Sequence, residues 1–110
     1  MATAYKHSGV QGSAAVGTYV TLYTVPSSTE GIISSITICN TAAAAATFRI
    51  GIDATAGTPG ADEWLCYNTP IAANDTIALT LGIALAASKV IRVSSSANTL
   101  TFIAFVSEIS

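Results

Sequence analysis

Few side chains in this sequence could act as nucleophiles or general bases. His7 is the only histidine, and it precedes the first strand-like segment of the chain. A serine–histidine–aspartate triad needs its histidine on a rigid element beside the nucleophile, so we interpret His7 as an exposed residue. Cys39 and Cys66 lie in strand-like runs, without metal-ligand spacing and without a neighbouring base. We expect buried free thiols, although the sequence leaves a disulfide between them open.

Three carboxylates flank one glycine-containing loop and could offer oxygen ligands to a calcium ion. They are Asp53, Asp62 and Glu63. A calcium site takes about six to eight oxygens at a defined spacing, which this loop lacks, and aspartate at a strand end is ordinary turn chemistry. We therefore predict no metal and no cofactor. Because ionisable groups are scarce throughout the chain, we also predict that the protein is not an enzyme.

Aromatic and basic residues near the N-terminus form the candidate binding surface. Alternation along residues 18–25 places Tyr19 and Tyr23 together on the outward face of the first predicted strand. Exposed aromatic rings on one face can stack on sugars or anchor a protein partner. We favour packing against the N-terminal segment or a neighbouring subunit. The candidate interface with another subunit or with a larger assembly comprises Tyr5, Lys6, His7, Tyr19 and Tyr23.

The elements that would position these residues are short β-strands. Residues 1–17 show no periodicity and predict a flexible N-terminal arm, whereas residues 18–110 predict one β-sandwich domain. Turn signals recur about every 8–12 residues, which indicates an antiparallel sandwich of jelly-roll or Greek-key type with about seven to eight strands. The predicted strands are 18–25, 32–40, 47–53, 64–67, 76–81, 89–94 and 100–109, with 82–87 as a connection or a bulged continuation.

The alternation also predicts which side chains face the core. Ile36 and Ile38 face inward in one strand, and Phe48, Ile50 and Ile52 do so in the next, with Arg49 outward. The last strand is apolar on both faces over residues 102–106. That pattern predicts a central strand that is buried on both sides.

The composition excludes several classes of protein. Hydrophobic residues make up 51% of the chain and charged residues only 9%, with a net charge of −2, whereas a typical domain has about 25% charged residues. A nucleic-acid binder would carry clustered lysine and arginine, and a disordered chain would be poor in apolar residues. Small residues (Ala, Thr, Ser and Gly) supply half of the sequence. Such a surface does little to repel copies of itself, so we expect it to be covered in a permanent assembly.

A membrane location is an unfavoured alternative. The mean hydropathy is +0.59, and residues 31–48 form an uncharged stretch close in length to a membrane span. This stretch contains several serine, threonine and asparagine residues and lacks a flanking basic cluster, so it is a poor lipid-facing helix. The N-terminus also lacks the apolar segment of a signal peptide. We expect no membrane partner and no nucleic acid.

Several strings of residues form a recognisable series of strand and turn segments. They are 22–26 (LYTVP), 31–41 (GIISSITICNT), 46–52 (ATFRIGI), 69–77 (TPIAANDTI), 79–83 (LTLGI) with Leu85, 89–93 (KVIRV) and 102–109 (FIAFVSEI). Together these strings resemble small β-sandwich structural proteins of tailed bacteriophages. The resemblance covers about residues 18–109 and leaves the predicted arm outside it. It is a pattern of strands and turns without a catalytic signature.

The resemblance implies a virion component without enzymatic activity, and it transfers no functional residue. Our main hypothesis is a capsid decoration, or cement, protein that stabilises the head shell as an oligomer, expected to be a trimer. Its partners would be copies of itself and the major capsid protein or other virion proteins, with assembly in the cytoplasm of the host bacterium. The alternative is a tail, baseplate or fibre module that serves assembly or binds host-surface glycans.

Overall fold

The computed structural model describes residues 3–11, 19–53, 63–97 and 99–110. These residues form eight β-strands, and among them there is no helix that could cross a membrane. The strands in chain order are β1 (Thr3–Gln11), β2 (Val20–Thr24), β3 (Glu30–Asn40), β4 (Ala46–Asp53), β5 (Trp64–Ile71), β6 (Thr76–Leu85), β7 (Val90–Ser95) and β8 (Leu100–Ile109).

The strands form two four-stranded antiparallel sheets that pack against each other. Sheet A has the order β1-β8-β3-β6, and sheet B has the order β2-β7-β4-β5. The chain passes from one sheet to the other at most of its turns, which gives the strand order of an eight-stranded jelly roll. The predicted all-β antiparallel sandwich is therefore confirmed.

The core lies between the two sheets and is built from one face of each strand. Phe48 of sheet B and Phe102 of sheet A meet edge to face, with ring centroids 6.1 Å apart. Ile36, Ile38 and Ile50 are fully buried around them, as the alternation predicts. Ile52 is only half-buried at the margin of this core.

The N-terminal segment corrects one prediction. Residues 3–11, predicted as part of a flexible arm, form strand β1, which pairs along its whole length with β8. Periodicity reports burial of one face, and β1 is an edge strand whose side chains are mostly exposed, so the sequence carried no signal for it. The Ser8 hydroxyl also donates a 2.6 Å hydrogen bond to the Leu22 carbonyl of β2. The rest of the predicted arm lies outside the described residues.

Strand β8 is central, as predicted, because it pairs with β1 on one side and β3 on the other. The prediction that β8 is buried on both faces was wrong. Phe102, Ala104 and Val106 face the core, whereas Ile103 is half-buried and Phe105 is 41% exposed on the opposite face. No described element covers the outer face of sheet A, so the apolar residues on that side remain accessible.

A β-bulge in β2 reverses the predicted direction of Tyr23. The register between β2 and β7 shifts by one residue between Thr21 and Tyr23, which leaves Leu22 as the extra residue. Leu22 and Tyr23 consequently both lie in the core, at 1% and 8% exposure. The predicted outward pair of tyrosines is therefore wrong, since a bulge shifts all later side chains to the other face.

Further bulges shape strands that the sequence predicts as shorter. Gly82 has a φ of +110°, which favours glycine, and β6 continues through it to Leu85 as a bulged strand. Strand β5 likewise continues beyond Tyr67 to Ile71, through Asn68 with a φ of 51°. Asparagine tolerates this left-handed conformation better than most residues.

Asn40 at the end of β3 organises the loops at one end of the sandwich. Its side chain is buried and donates to the carbonyls of Ala44 and Ala72 at 2.8 and 3.2 Å. Its Oδ1 accepts hydrogen bonds from the Ala42 amide and the Thr99 hydroxyl, both at 3.1 Å. The alanine-rich link between β3 and β4 is thereby held as a loop without helical structure.

Candidate functional site

The five candidate interface residues do not lie together in the fold. Tyr5 and His7 are exposed on the outer face of sheet A, opposite Ser107 and Phe105 of β8 in the β1–β8 register. Lys6 points to the other side of β1. Tyr23 lies in the core, and Tyr19 lies on the outer face of sheet B. Two different surfaces therefore replace the single predicted interface.

The outer face of sheet A is almost free of charge. The register places serine, threonine, alanine and isoleucine side chains across its four strands. On the described part of this face, Glu30 at the margin is the only aspartate, glutamate, lysine or arginine, and His7 on β1 is the only histidine. Tyr5 is 81% exposed and Phe105 is 41% exposed on it. An open sheet face normally carries charges that keep it from associating with another sheet.

Lys6 and Tyr23 have a structural role around a buried carboxylate. The Tyr23 hydroxyl donates a hydrogen bond to Oε2 of Glu108, and Lys6 Nζ lies 2.8 Å from Oε1 of the same carboxylate. The hydrogen bond from Lys6, followed by that from Tyr23, holds the pKa of Glu108 below its usual range. Burial and the neighbouring carboxylate raise the pKa of Tyr23. These contacts tie β1 and β2 to β8.

This network predicts a loss of stability in acid. The lowered pKa of Glu108 means that its carboxylate stabilises the fold above about pH 4.3, and that this contribution disappears as the pH falls through the folded-state value. Glu108→Gln keeps the size of the side chain but cannot ionise. We expect the variant to be less stable than the parent at pH 7, with the difference narrowing between pH 5 and pH 3 in urea unfolding. A difference that stays constant with pH would contradict this role.

A cluster of aromatic rings occupies the outer face of sheet B. Tyr19 and Trp64 have ring centroids 5.8 Å apart, and Trp64 and Tyr67 meet edge to face at 5.0 Å. Tyr67 is 55% exposed, and the other two side chains are half-buried. The rings come from β5 and from the residue before β2, at opposite edges of sheet B. We call these three residues together with Arg49 the aromatic–arginine cluster.

Arg49 of β4 lies at the centre of the aromatic–arginine cluster. Its guanidinium carbon is 4.1 Å from the Tyr67 ring centroid and 5.9 Å from that of Trp64. Its Nε donates to Oδ1 of Asn68 at 2.7 Å, and its Nη1 donates to the Tyr19 hydroxyl at 3.3 Å. Stacking and two hydrogen bonds to neutral groups therefore hold this cation in one orientation.

Sequence reasoning found Tyr19 but missed its neighbours. Trp64 and Tyr67 are three positions apart, so a regular strand would place them on opposite faces. The register between β4 and β5 shifts between Ile50 and Gly51, and the extra residue, Leu65, brings both rings to the outer face. The available signal was Arg49, an isolated cation predicted to face outward from an apolar strand.

The candidate catalytic and metal-binding residues do not assemble. Asp53 is buried and forms a 2.6 Å ion pair with Arg92 of β7, and Asp62 lies outside the described residues. Within the described ranges, no three histidine, cysteine or acidic side chains are placed to hold a metal ion. Cys39 and Cys66 are both free and half-buried, less buried than predicted. Burial raises the pKa of the Cys66 thiol, which opposes a nucleophilic role.

Comparisons with known proteins give no assignment. No protein-family model, curated protein or solved structure matches this chain. The functional argument therefore rests on the two outer faces of the sandwich.

Proposed function

We propose that this protein is a non-enzymatic structural component of a tailed-phage virion, a decoration protein that binds and stabilises the head shell as a homo-oligomer. The observation that carries the proposal is the nearly uncharged outer face of sheet A. The sequence resemblance supplies the phage context. Assembly would take place in the cytoplasm of the host bacterium, and the partners would be other copies of this chain and the major capsid protein.

The outer face of sheet A suits permanent contact with another protein. Ile32 and Ile103 are half-buried on it, and Phe105 and Tyr5 are exposed, so water contacts apolar area at the middle of the sheet and along β1. Covering such area contributes about 25 cal/mol for each square ångström removed from water. Serine and threonine hydroxyls between the apolar residues would supply hydrogen bonds without the desolvation penalty of buried charges.

Many copies acting together would make a modest contact effective. A decoration oligomer that touches several shell subunits carries all of its contacts on one particle, so the second contact forms at a high effective concentration. We expect the oligomer to be a trimer, a symmetry that would match the three-fold positions of a shell. Shell subunits held in this way would resist outward pressure from packed DNA.

A charge placed on the outer face of sheet A tests the assembly. We expect sedimentation of the parent protein to show an oligomer, and we expect Phe105→Glu to sediment as a folded monomer, because the interface would then bury an unpaired carboxylate. Thr24→Glu adds the same charge to an exposed position of sheet B and is the matched control. A parent protein that is monomeric at about 100 μM, well above a micromolar dissociation constant, would contradict the proposal.

Binding to phage heads tests the biological part of the proposal. Expanded heads prepared without this protein should retain it on sedimentation and should rupture at a higher temperature once it has bound. Phe105→Glu should neither bind nor raise that temperature. Heads that are unaffected by the parent protein would exclude the decoration role. The oligomer measured by sedimentation would not be affected by that result.

A second candidate function is a tail, baseplate or fibre module that binds host-surface glycans. The aromatic–arginine cluster favours it, because exposed aromatic rings with adjacent hydrogen-bonding groups are typical of small-ligand sites. Labelled copies found on tails in electron micrographs, with none on heads, would favour this candidate over the decoration protein.

A further inference from the structure

The aromatic–arginine cluster presents the parts of a carbohydrate site on the outer face of sheet B. Trp64 and Tyr67 meet at an interplanar angle of 74°, which makes a corner of two nearly perpendicular rings. The apolar C–H face of a sugar ring packs against such a ring, while its hydroxyls reach neighbouring polar groups. Arg49 and Asn68 lie at this corner and supply those polar groups.

The charge of Arg49 identifies the ligand class. Among the described residues the guanidinium has no carboxylate within ion-pair distance, and its hydrogen-bond partners are the neutral side chains of Asn68 and Tyr19. A guanidinium carries five N–H donors, and these two contacts occupy two of them. The remaining donors suit an anion such as a carboxylate, because arginine can bind it through two parallel hydrogen bonds.

The setting of Arg49 makes this charge effective. Stacking on Tyr67 and the hydrogen bond to Asn68 fix the side chain before any ligand arrives, so little conformational entropy is lost on binding. The surrounding face of sheet B carries polar side chains such as Thr21 and Arg92. The cluster thus presents three aromatic rings among polar neighbours, which suits a ligand of one or two sugar rings better than a protein partner.

We propose that the aromatic–arginine cluster binds a carboxylate-bearing saccharide, such as a uronic acid unit of a bacterial surface polysaccharide. Trp64 and Tyr67 pack against the sugar ring, and Arg49 pairs with its carboxylate. This proposal deepens the second candidate function and rests on its glycan binding, but it is independent of assembly through sheet A.

The chain offers its own reporter for this site. Trp64 is the only tryptophan in the sequence, so its fluorescence reports ligand contact directly. The probes are the hyaluronan tetrasaccharide, which alternates glucuronate with N-acetylglucosamine, and neutral chitotetraose, which has the same number of rings. We expect saturable quenching or a blue shift with the acidic probe, about tenfold weaker binding of the neutral probe, and weakening of the acidic binding by salt.

Variants of Arg49 separate charge from stacking. Arg49→Gln should weaken the acidic probe about tenfold and leave the neutral probe unchanged, whereas Arg49→Lys, which keeps the charge without the planar fork, should fall between. Tyr67→Ala should weaken both probes. Lys89→Gln is the matched control, because it removes an equal positive charge away from the cluster. Lys89 lies five positions before Ser94, which is the residue of β7 that pairs with Arg49. Circular dichroism melts establish that each variant is folded.

The outcomes distinguish this proposal from the others. Equal affinity for both probes, or an Arg49→Gln variant that binds the acidic probe as well as the parent does, would overturn the carboxylate proposal and leave glycan binding in place. An unchanged Trp64 signal up to about 10 mM of either probe, weaker than millimolar affinity, would overturn glycan binding as well. Neither result would affect the oligomer measured by sedimentation.

Discussion

Phe102→Ala is expected to lower the free energy of unfolding by about 4 kcal/mol, because it leaves a cavity where the two sheets meet. The Phe102 side chain is fully buried and contacts Phe48 of the opposite sheet edge to face. Neighbouring side chains are held by their own strands, so they can fill only part of the space. Urea unfolding of the two proteins measures the difference.

Phe105→Ala is the matched control, three positions further along the same strand. Its side chain is 41% exposed on the outer face of sheet A, so the expected loss is about 1 kcal/mol. The comparison should be made at a protein concentration at which the chain is monomeric, so that only folding is measured. Equal losses for the two variants would mean that sheet A is covered on both faces within a single chain.

The second large effect is expected at the ion pair inside sheet B. Arg92→Met should lower the free energy of unfolding by about 3 kcal/mol, because the buried Asp53 carboxylate loses its cation. Nε of Arg92 lies 2.6 Å from Oδ1 of Asp53, whose side chain is 2% exposed. Nη1 of Arg92 also donates to the Thr21 hydroxyl at 3.0 Å, so the side chain joins β7 to both β4 and β2. Thermal or urea unfolding measures the loss.

The double variant separates the charge from the packing. Asp53→Leu combined with Arg92→Met removes both charges and keeps apolar volume, so it should recover part of the stability that Arg92→Met loses. A double variant that is as unstable as the single one would show that the loss comes from packing or from the Thr21 contact. If Arg92→Met lowers the free energy of unfolding by less than about 0.5 kcal/mol, the ion pair does not contribute appreciably to stability.

The local sequence predicted those strands that bury one face. Regular alternation placed Phe48 and Ile50 in the core, and turn residues divided the chain at close to the observed positions. Strand β1 was not predicted from the sequence because its residues are mostly exposed. Its position depends on backbone pairing with β8. Pairing of this kind leaves no periodic trace in the sequence of an edge strand.

The candidate sites were predicted less well because bulges alter the direction of side chains. One extra residue, Leu22, turned Tyr23 into the core toward Glu108. Another, Leu65, brought Trp64 and Tyr67 to one face. Each bulge depends on how two strands distant in sequence pair with each other, and alternation within one strand contains no information about that pairing.

The distribution of the few charges depends on both the sequence and the tertiary structure. The sequence by itself determined an all-β sandwich with few charges, since alternation and composition are local properties. Only the tertiary structure decided where those charges lie: Glu108 and Asp53 are buried in ion pairs, and Arg49 stands on the outer face of sheet B. The outer face of sheet A is left nearly uncharged because strands from both ends of the chain meet there, an arrangement set by non-local pairing.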